Sequence, residues 1–425
     1  MGVPLRSLLA GAVLGMTAAC GSDEPTSPPE PAGSLVVTPA SVVLGVGMSR
    51  RLSVTVLDPT GAPVPEAAVS FSSSDPDIAE VGADGLVSYA GPGQAEISAT
   101  SDDLLATVPY TGLQSGHPLG TTRLSVRLPG DPQGDGPFAA AVDPDGRILI
   151  SQTNTGRVAS DLFPITSFST RDVGGFPTSI ALLAGGAALV TPTGPDTSGA
   201  SVIEPASDRV LARVPLGAHA EAAVTGTDGR TVYLGTEDGR VLVFDAASAR
   251  VRASIDLEIA KSRANHLALN AAGTLLYVSS FTTGTISEID LASGSVSRDF
   301  IVGGEPQGLA LSPDGTELYV ADEAGTGHID VYDLVHLVHE ASIRSGATTS
   351  DGGPFGVAMS PDGAAVYVGV ITKEGPGLIQ IIDAASRTIV HTIESCGRTP
   401  RRIAFGYSGG LAVIADESGC VNFVE

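Results

Sequence analysis

A chain of 425 residues has room for two or three domains with cores of their own. Its 47 acidic residues outnumber 23 Lys and Arg, and a formal net charge of −24 repels phosphate backbones, which argues against a nucleic-acid partner. The acids are scattered over turns and strand ends, so they serve solubility and form no interaction tail. With 53 Gly, 29 Pro and no Trp, and short Val- and Ile-rich runs between Gly, Pro, Asp and Ser clusters, the composition predicts an all-β protein.

Residues 1–20 read as a targeting segment. Arg6 is the sole charge before the apolar run Leu8-Leu9-Ala10-Gly11-Ala12-Val13-Leu14-Gly15-Met16, which is too short to span a membrane stably. The run leads into Thr17-Ala18-Ala19-Cys20, which resembles the bacterial lipoprotein signal, with Thr17 where that family usually has Leu. The resemblance implies cleavage before Cys20, lipid attachment to its sulfur and a lipid-anchored cell-envelope protein. The alternative is a plain secretory signal with Cys20 an ordinary thiol. Residues 21–33 are polar and Pro-rich, cannot pack a core, and are expected to form an extended tether. No later apolar run is long enough for a transmembrane helix, so membrane contact is expected through lipid alone. The lipoprotein resemblance, with Gly21 and not Asp after Cys20, favours the outer membrane or cell surface, the periplasmic face being the alternative.

Residues 34–113 read as a small antiparallel sandwich with strands at 34–38, 51–57, 68–72, 85–89, 95–100 and 104–110. Turn signals such as Asp58-Pro59-Thr60-Gly61 and Ala83-Asp84-Gly85 separate them, and alternation puts Leu52, Val54 and Val56 on one face. Val37-Thr38-Pro39, Val69-Ser70-Phe71-Ser72-Ser73-Ser74-Asp75, Ile78-Ala79-Glu80-Val81 and Asp84-Gly85-Leu86-Val87-Ser88 resemble the bacterial Ig-like group 2 family, Phe71 standing where that family usually has Trp. The resemblance implies an Ig-like surface module, here a stalk or spacer more than an adhesin. Its core has no cysteine pair to hold it.

Residues 114–425 repeat. A turn glycine recurs at Gly146, Gly186, Gly229, Gly273, Gly315, Gly363 and Gly409, every 40–48 residues, the length of one four-stranded blade. Pro137, Pro177, Pro306, Pro354 and Pro400 precede five of these turns, and strands such as Leu276-Tyr277-Val278, Leu318-Tyr319-Val320 and Val366-Tyr367-Val368 follow. Third strands end in Glu204-Pro205-Ala206-Ser207, Asp245-Ala246-Ala247-Ser248, Asp290-Leu291-Ala292-Ser293 and Asp383-Ala384-Ala385-Ser386, whose acids suit turn capping better than catalysis. Tyr319-Val320-Ala321-Asp322 carries a resemblance to the YVTN-type, lactonase-like propeller repeats, which implies a seven-bladed β-propeller. The last blade stops one strand short, and residues 121–128 are expected to supply it, a three-plus-one closure that removes an open edge.

Several motifs are set aside. Gly406-Tyr407-Ser408-Gly409-Gly410 has the nucleophile-elbow pattern but aligns with a strand-to-strand turn, where that chemistry has no strained apex. His336-Leu337-Val338-His339-Glu340 has zinc-like spacing but falls on a rim hairpin, not a helix. No metal site, catalytic set or cofactor is predicted. Cys396 and Cys420 fall in loops on one face, and stand either as a disulfide or as two free buried thiols. At the channel mouth most blades have small or apolar residues such as Phe138 and Gly356. His219, Glu221, Asn265, His266, Gln307, Arg401 and Arg402 instead form a candidate binding set. The Arg pair suits a carboxylate, and His219, Glu221 and His266 suit acid–base work. The bland alternative is a solvated rim of balanced charges.

The leading expectation is therefore a non-catalytic binding or scaffold protein, with a partner protein or a small polar or anionic ligand at the propeller face. A lactonase-type hydrolase with its site at the channel mouth is the second reading, as the propeller resemblance implies. Surface adhesion through the Ig-like domain is the third.

Overall fold

The computed structural model describes residues 33–38, 42–44, 49–65, 67–91, 93–112, 122–128, 136–162, 168–194, 199–207, 209–257, 263–324, 327–346, 352–406 and 411–424. Residues 1–20 with Cys20, the tether to residue 32 and the elbow-like turn at 407–410 lie outside them. Every regular element among the described residues is a β-strand, and no helix is long and apolar enough to cross a membrane.

The Ig-like part holds three small sheets. Ser34–Thr38 pairs with Ser53–Leu57, Ser49–Arg51 lies beside Leu86–Tyr89 and Ala79–Val81, and a four-stranded sheet runs Val42–Leu44, Leu104–Gly112, Gly93–Ser101, Ser70–Ser73. The strand expected at 51–57 is thus divided between two sheets. Leu52 is the crossover: it is buried, and its N–H donates to Gly85 O at 2.9 Å while its neighbours on either side join different partners. Val42–Leu44 and Ala79–Val81 were not among the expected strands, because three residues are too few to show alternation. Leu52, Val87, Ile97, Val108 and Tyr110 form the core, with Phe71 packed against it. Gly85 has φ +77°, and a Cβ there would meet the Phe71 ring at 2.9 Å, so the Asp84-Gly85 turn admits the aromatic that replaces Trp.

Beyond Thr122 the described strands form seven four-stranded antiparallel sheets. Six take consecutive strands in chain order; their first strands are Pro137–Val142, Phe176–Leu182, Ala220–Thr225, Ala264–Leu269, Pro306–Leu311 and Pro354–Met359. The seventh runs Pro400–Gly406, Leu411–Asp416, Cys420–Val424, Thr122–Arg127, with Arg127 opposite Cys420 and Val126 opposite Val421. Each first strand packs against the next, and that of blade seven against that of blade one, so the architecture is a seven-bladed propeller.

Position in the blade explains the sequence pattern. Second strands such as Ala365–Val370 are buried on both faces and read as unbroken apolar runs. Outer strands such as Ser295–Ile301 alternate along their whole length. Tyr277, Tyr319 and Tyr367 are buried between blades, the Tyr277 hydroxyl donating to Glu288 Oε2 at 2.9 Å and that of Tyr319 to Glu317 Oε2 at 3.0 Å. The repeated acids cap turns: Asp245, Asp290 and Asp383 accept the N–H of Ser248, Ser293 and Ser386 at 3.0, 2.7 and 2.7 Å. The Ser248 and Ser386 hydroxyls, foremost for Asp245 and Asp383, and the Ser293 N–H, foremost for Asp290, hold all three carboxyls below the ordinary Asp range.

Cys396, in the loop before blade seven, and Cys420, which opens that blade's third strand, are joined with Cα atoms 6.2 Å apart. The link spans 24 residues and ties the strand that receives Thr122–Arg127 to the loop arriving from blade six. The native, unreduced protein should show no alkylatable thiol at either position by mass spectrometry. Reduction should cost about 3 kcal/mol, by the loop-entropy argument.

Candidate functional site

A cavity of about 240 Å³ opens where the first strands converge. One residue from every blade lines it: Phe138, Thr178, Glu221, Asn265, Gln307, Phe355 and Arg401. All seven occupy the same position, directly after Pro137, Pro177, Ala220, Ala264, Pro306, Pro354 and Pro400. The convergence has a backbone cause. In every blade the pairing of first and second strand shifts just there, between Pro137 and Ala140, Pro177 and Ser179, Ala220 and Ala222, and so on around the ring. Such a bulge breaks strict alternation, so consecutive side chains can both reach the axis. His266 and Arg402, one residue further on, therefore line the cavity together with Asn265 and Arg401.

Six of the seven expected mouth residues line this cavity; His219 does not. It sits two residues before Glu221, ahead of the bulge, where its backbone carbonyl accepts the Glu237 N–H at 3.0 Å. Its position in the chain, close to Glu221, was a poor guide because the bulge and not proximity selects the lining residue.

Arg401 is not a free cation. Its Nε and Nη2 both reach Glu417 Oε2 at 2.6 Å, and its guanidinium lies 4.4 Å from the Phe355 ring centre and 5.5 Å from that of Phe138. The two rings meet edge to face at 5.9 Å, so Phe138, expected to be a bland apolar position, is half of an aromatic clasp. Arg402 Nη2 donates to Asn265 O at 3.1 Å and its Cζ stands 5.8 Å from the Phe138 centre. Arg263, which the sequence reading did not single out, bridges Glu221 at 2.5 Å and Glu237 at 2.9 Å. Gln307 Nε2 donates to Glu323 Oε2 at 2.7 Å.

Glu237, Glu323 and Glu417 share one position, the residue after the second strand, in blades three, five and seven. That shared register was readable in the sequence, in Thr236-Glu237, Asp322-Glu323 and Asp416-Glu417. What was not readable is that these turns reach the mouth residues.

Burial sets the protonation of the site. It lowers His266 well below the ordinary His value, with Arg402 adding repulsion, so the ring is neutral; Nδ1 accepts the Leu309 N–H at 3.3 Å, which leaves the proton on Nε2. Burial brings Arg402 down to about 10, Glu221 opposing the shift. It raises Glu221, against the pull of Arg263, and raises Glu323, against the Gln307 hydrogen bond. Of the residues that line the cavity, Asn265 Oδ1 and Arg402 Nε are buried without a hydrogen-bond partner, as is Nδ1 of His219 outside it.

A depressed His pKa has a definite sign. Below pH 6.5 the unfolded chain takes a proton that folded His266 refuses, so its contribution to stability is intact above that pH and is lost as pH falls. His266→Gln should remove this loss. Urea titrations at pH 7.5 and pH 5 should show wild type losing more stability than the variant, by up to about 1.4 kcal/mol per pH unit below 6.5. Equal losses in both would show that His266 does not titrate as its burial dictates.

Fold and mouth together define an Ig-like domain followed by a seven-bladed propeller with a polar, aromatic-clasped channel mouth. Residues 32–111 match the bacterial Ig-like domain (group 2). The solved structure of Kuenenia stuttgartiensis hydrazine synthase is similar with a TM-score of 0.62 at 17% identity, over 73% of this chain and 99% of that one, a likeness of fold alone. No curated protein matches the chain.

Proposed function

We propose that this chain is a lipid-anchored cell-envelope binding protein, whose propeller holds a small polar ligand at its channel mouth. An Ig-like domain and a propeller support a binding or scaffold role in general terms. The finer reading rests on one observation: Asn265 Oδ1, an acceptor, and Arg402 Nε, a donor, are both buried and unpartnered beside one cavity. Buried polar groups are costly unless paired, and a ligand that both donates and accepts would pair them. A small hydroxy acid fits this requirement, its hydroxyl serving Asn265 and its carboxylate Arg402. Arg401 contributes by shape, since Glu417 already neutralises it. A volume of about 240 Å³ limits the ligand to a small metabolite. The lipid anchor is supported by the Thr17-Ala18-Ala19-Cys20 motif and the Pro-rich stretch behind it.

Calorimetric titration with a panel of small hydroxy acids and neutral polyols tests the reading. An acid is expected to bind wild type and to bind Arg402→Ala at least tenfold more weakly, the loss of about 1.4 kcal/mol or more that a charged hydrogen bond supports. Equal affinity for both proteins would remove the mouth as the site.

A lactonase-type hydrolase is the second reading. A neutral His266 and a Glu221 raised by the same burial border one cavity, and opposed shifts of that kind are what acid–base pairs have. Lactone turnover that Glu221→Gln abolishes would establish it.

A further inference from the structure

Blade five holds a second cluster of ionisable groups, apart from the residues that line the mouth. Asp322 ends the strand Glu317–Asp322, and His328 and Asp330 lie on His328–Asp333, with Asp322 opposite His328 and Val320 opposite Asp330. Both carboxylates are only 4% exposed. One oxygen of each is anchored. Asp322 Oδ1 accepts the N–H groups of Glu305 and Ala324, both at 2.8 Å. Asp330 Oδ1 accepts the Ser342 hydroxyl at 2.5 Å and lies 2.9 Å from His339 Nε2. The other oxygens face His328, whose Nε2 is 3.1 Å from Asp330 Oδ2 and 3.7 Å from Asp322 Oδ2.

Blade seven provides an internal comparison. There Asp416 stands in place of Asp322, Cys420 in place of His328 and Asn422 in place of Asp330, in the same strand register. Asp416 Oδ2 accepts the Ser395 hydroxyl at 2.6 Å, and Ser395 Oγ in turn accepts from Asn422 Nδ2 at 2.8 Å. The counterpart of Ser395 in blade five is Val302: each gives its N–H to a glycine carbonyl, Gly377 and Gly284 respectively, one residue past an outer strand. With Val for Ser and Asp for Asn, blade five buries two carboxylates where blade seven buries one and a neutral amide. Two such carboxylates withdrawn from water call for positive charge beside them, which either a protonated His328 or a bound cation would supply.

We propose that Asp322, His328 and Asp330 bind a divalent transition-metal cation of the zinc type. Ligand atoms about 2.1 Å from a tetrahedral ion stand about 3.4 Å apart, and the two distances from His328 bracket that separation. All three ligand atoms lie within 4.8 Å of one another. One imidazole with two carboxylates suits a borderline first-row ion better than calcium or magnesium, which prefer oxygen alone. The hydrogen bonds to the far oxygens orient both carboxylates, as the surroundings of metal ligands do. His328, 28% exposed, is the side open to solvent. Of the two histidines at zinc-like spacing, His336 binds Asp333 at 2.7 Å and only His339 reaches the cluster, as the outer partner of Asp330. Because Asp322 runs directly into Glu323, an ion here would also fix the turn that presents Glu323 to Gln307.

The full chain, stripped with chelator and dialysed, is titrated with zinc by calorimetry and melted with and without it. One equivalent should bind and raise the melting temperature. His328→Ala, Asp330→Asn and His339→Ala should each weaken zinc at least about tenfold, while His336→Ala leaves affinity unchanged. Cobalt(II) in the wild type should give visible d–d absorption, a readout that needs no variant to fold. Absence of zinc-dependent heat, melting shift and cobalt spectrum in the wild type, or undiminished binding by His328→Ala, overturns the proposal and leaves a histidine-bridged acid pair.

Discussion

Deleting residues 122–128 should lower the propeller's melting temperature by about 10 °C or more, or drive it into aggregates. The strand Cys420–Val424 is buried along its whole length and is paired on both sides, by Leu411–Asp416 and by Thr122–Arg127. The deletion strips one side and leaves a buried apolar strand as an open edge, a template for another chain. It also removes Leu128 and Val126 from the cluster that joins blade seven to Ile148 and Ile150 of blade one. Losing one buried and one half-buried aliphatic side chain together with a strand's pairing costs about 4 kcal/mol, and at about 2–4 °C per kcal/mol for a domain of this size the shift follows. The Ser125 hydroxyl, 3.2 Å from Asn422 Oδ1, is lost as well. Calorimetry and size-exclusion chromatography of the truncated chain decide the matter. A cooperative melt at the wild-type temperature would mean that this strand holds nothing together.

How much of this was legible in the sequence differs between frame and site. Blade number and strand order followed from the spaced glycines and prolines, because each blade repeats one local solution of turn, buried strand and capped hairpin. Ser312-Pro313-Asp314-Gly315 shows why: Asp314 and Ser312 satisfy the turn's own backbone, the Thr316 N–H at 3.1 Å and the Glu317 N–H at 2.9 Å, without help from elsewhere. The mouth was legible only in part. Gln307 could be found because it follows Pro306, and Glu221 and Asn265 because they hold the position that the prolines mark in other blades. Their partners could not, since Glu237, Glu323 and Glu417 arrive from the far end of another strand. The Arg pair looked free for an anion because nothing local to Arg401 betrays Glu417, sixteen residues later, or the ring of Phe355 from the neighbouring blade. In the same way Asp322 passed as the last letter of a strand motif. Its meeting with His328 and Asp330 depends on hairpin register, which composition does not reveal.

Cys20→Ala should move the protein from the membrane fraction to the soluble fraction, or leave it as an unprocessed precursor. Two acyl chains bury enough methylene, at about 0.8 kcal/mol each, to hold a protein on a bilayer essentially permanently, whereas one chain binds only marginally. A net charge of −24 is repelled by anionic lipid, which works against electrostatic retention of the variant. Among the described residues no helix is long and apolar enough to cross a membrane. With the proposed anchor, wild type should resist both high salt and alkaline carbonate, and a cleaved variant should not survive either wash. Intact-mass measurement separates the two outcomes for the variant: a soluble product without residues 1–19 has been cleaved, and one that keeps them has stalled. Labelled palmitate supplies the independent check. If it enters the wild type and not the variant, Cys20 is the anchor; if it never enters the wild type, residues 1–20 are a plain secretory signal and the propeller works free of the membrane.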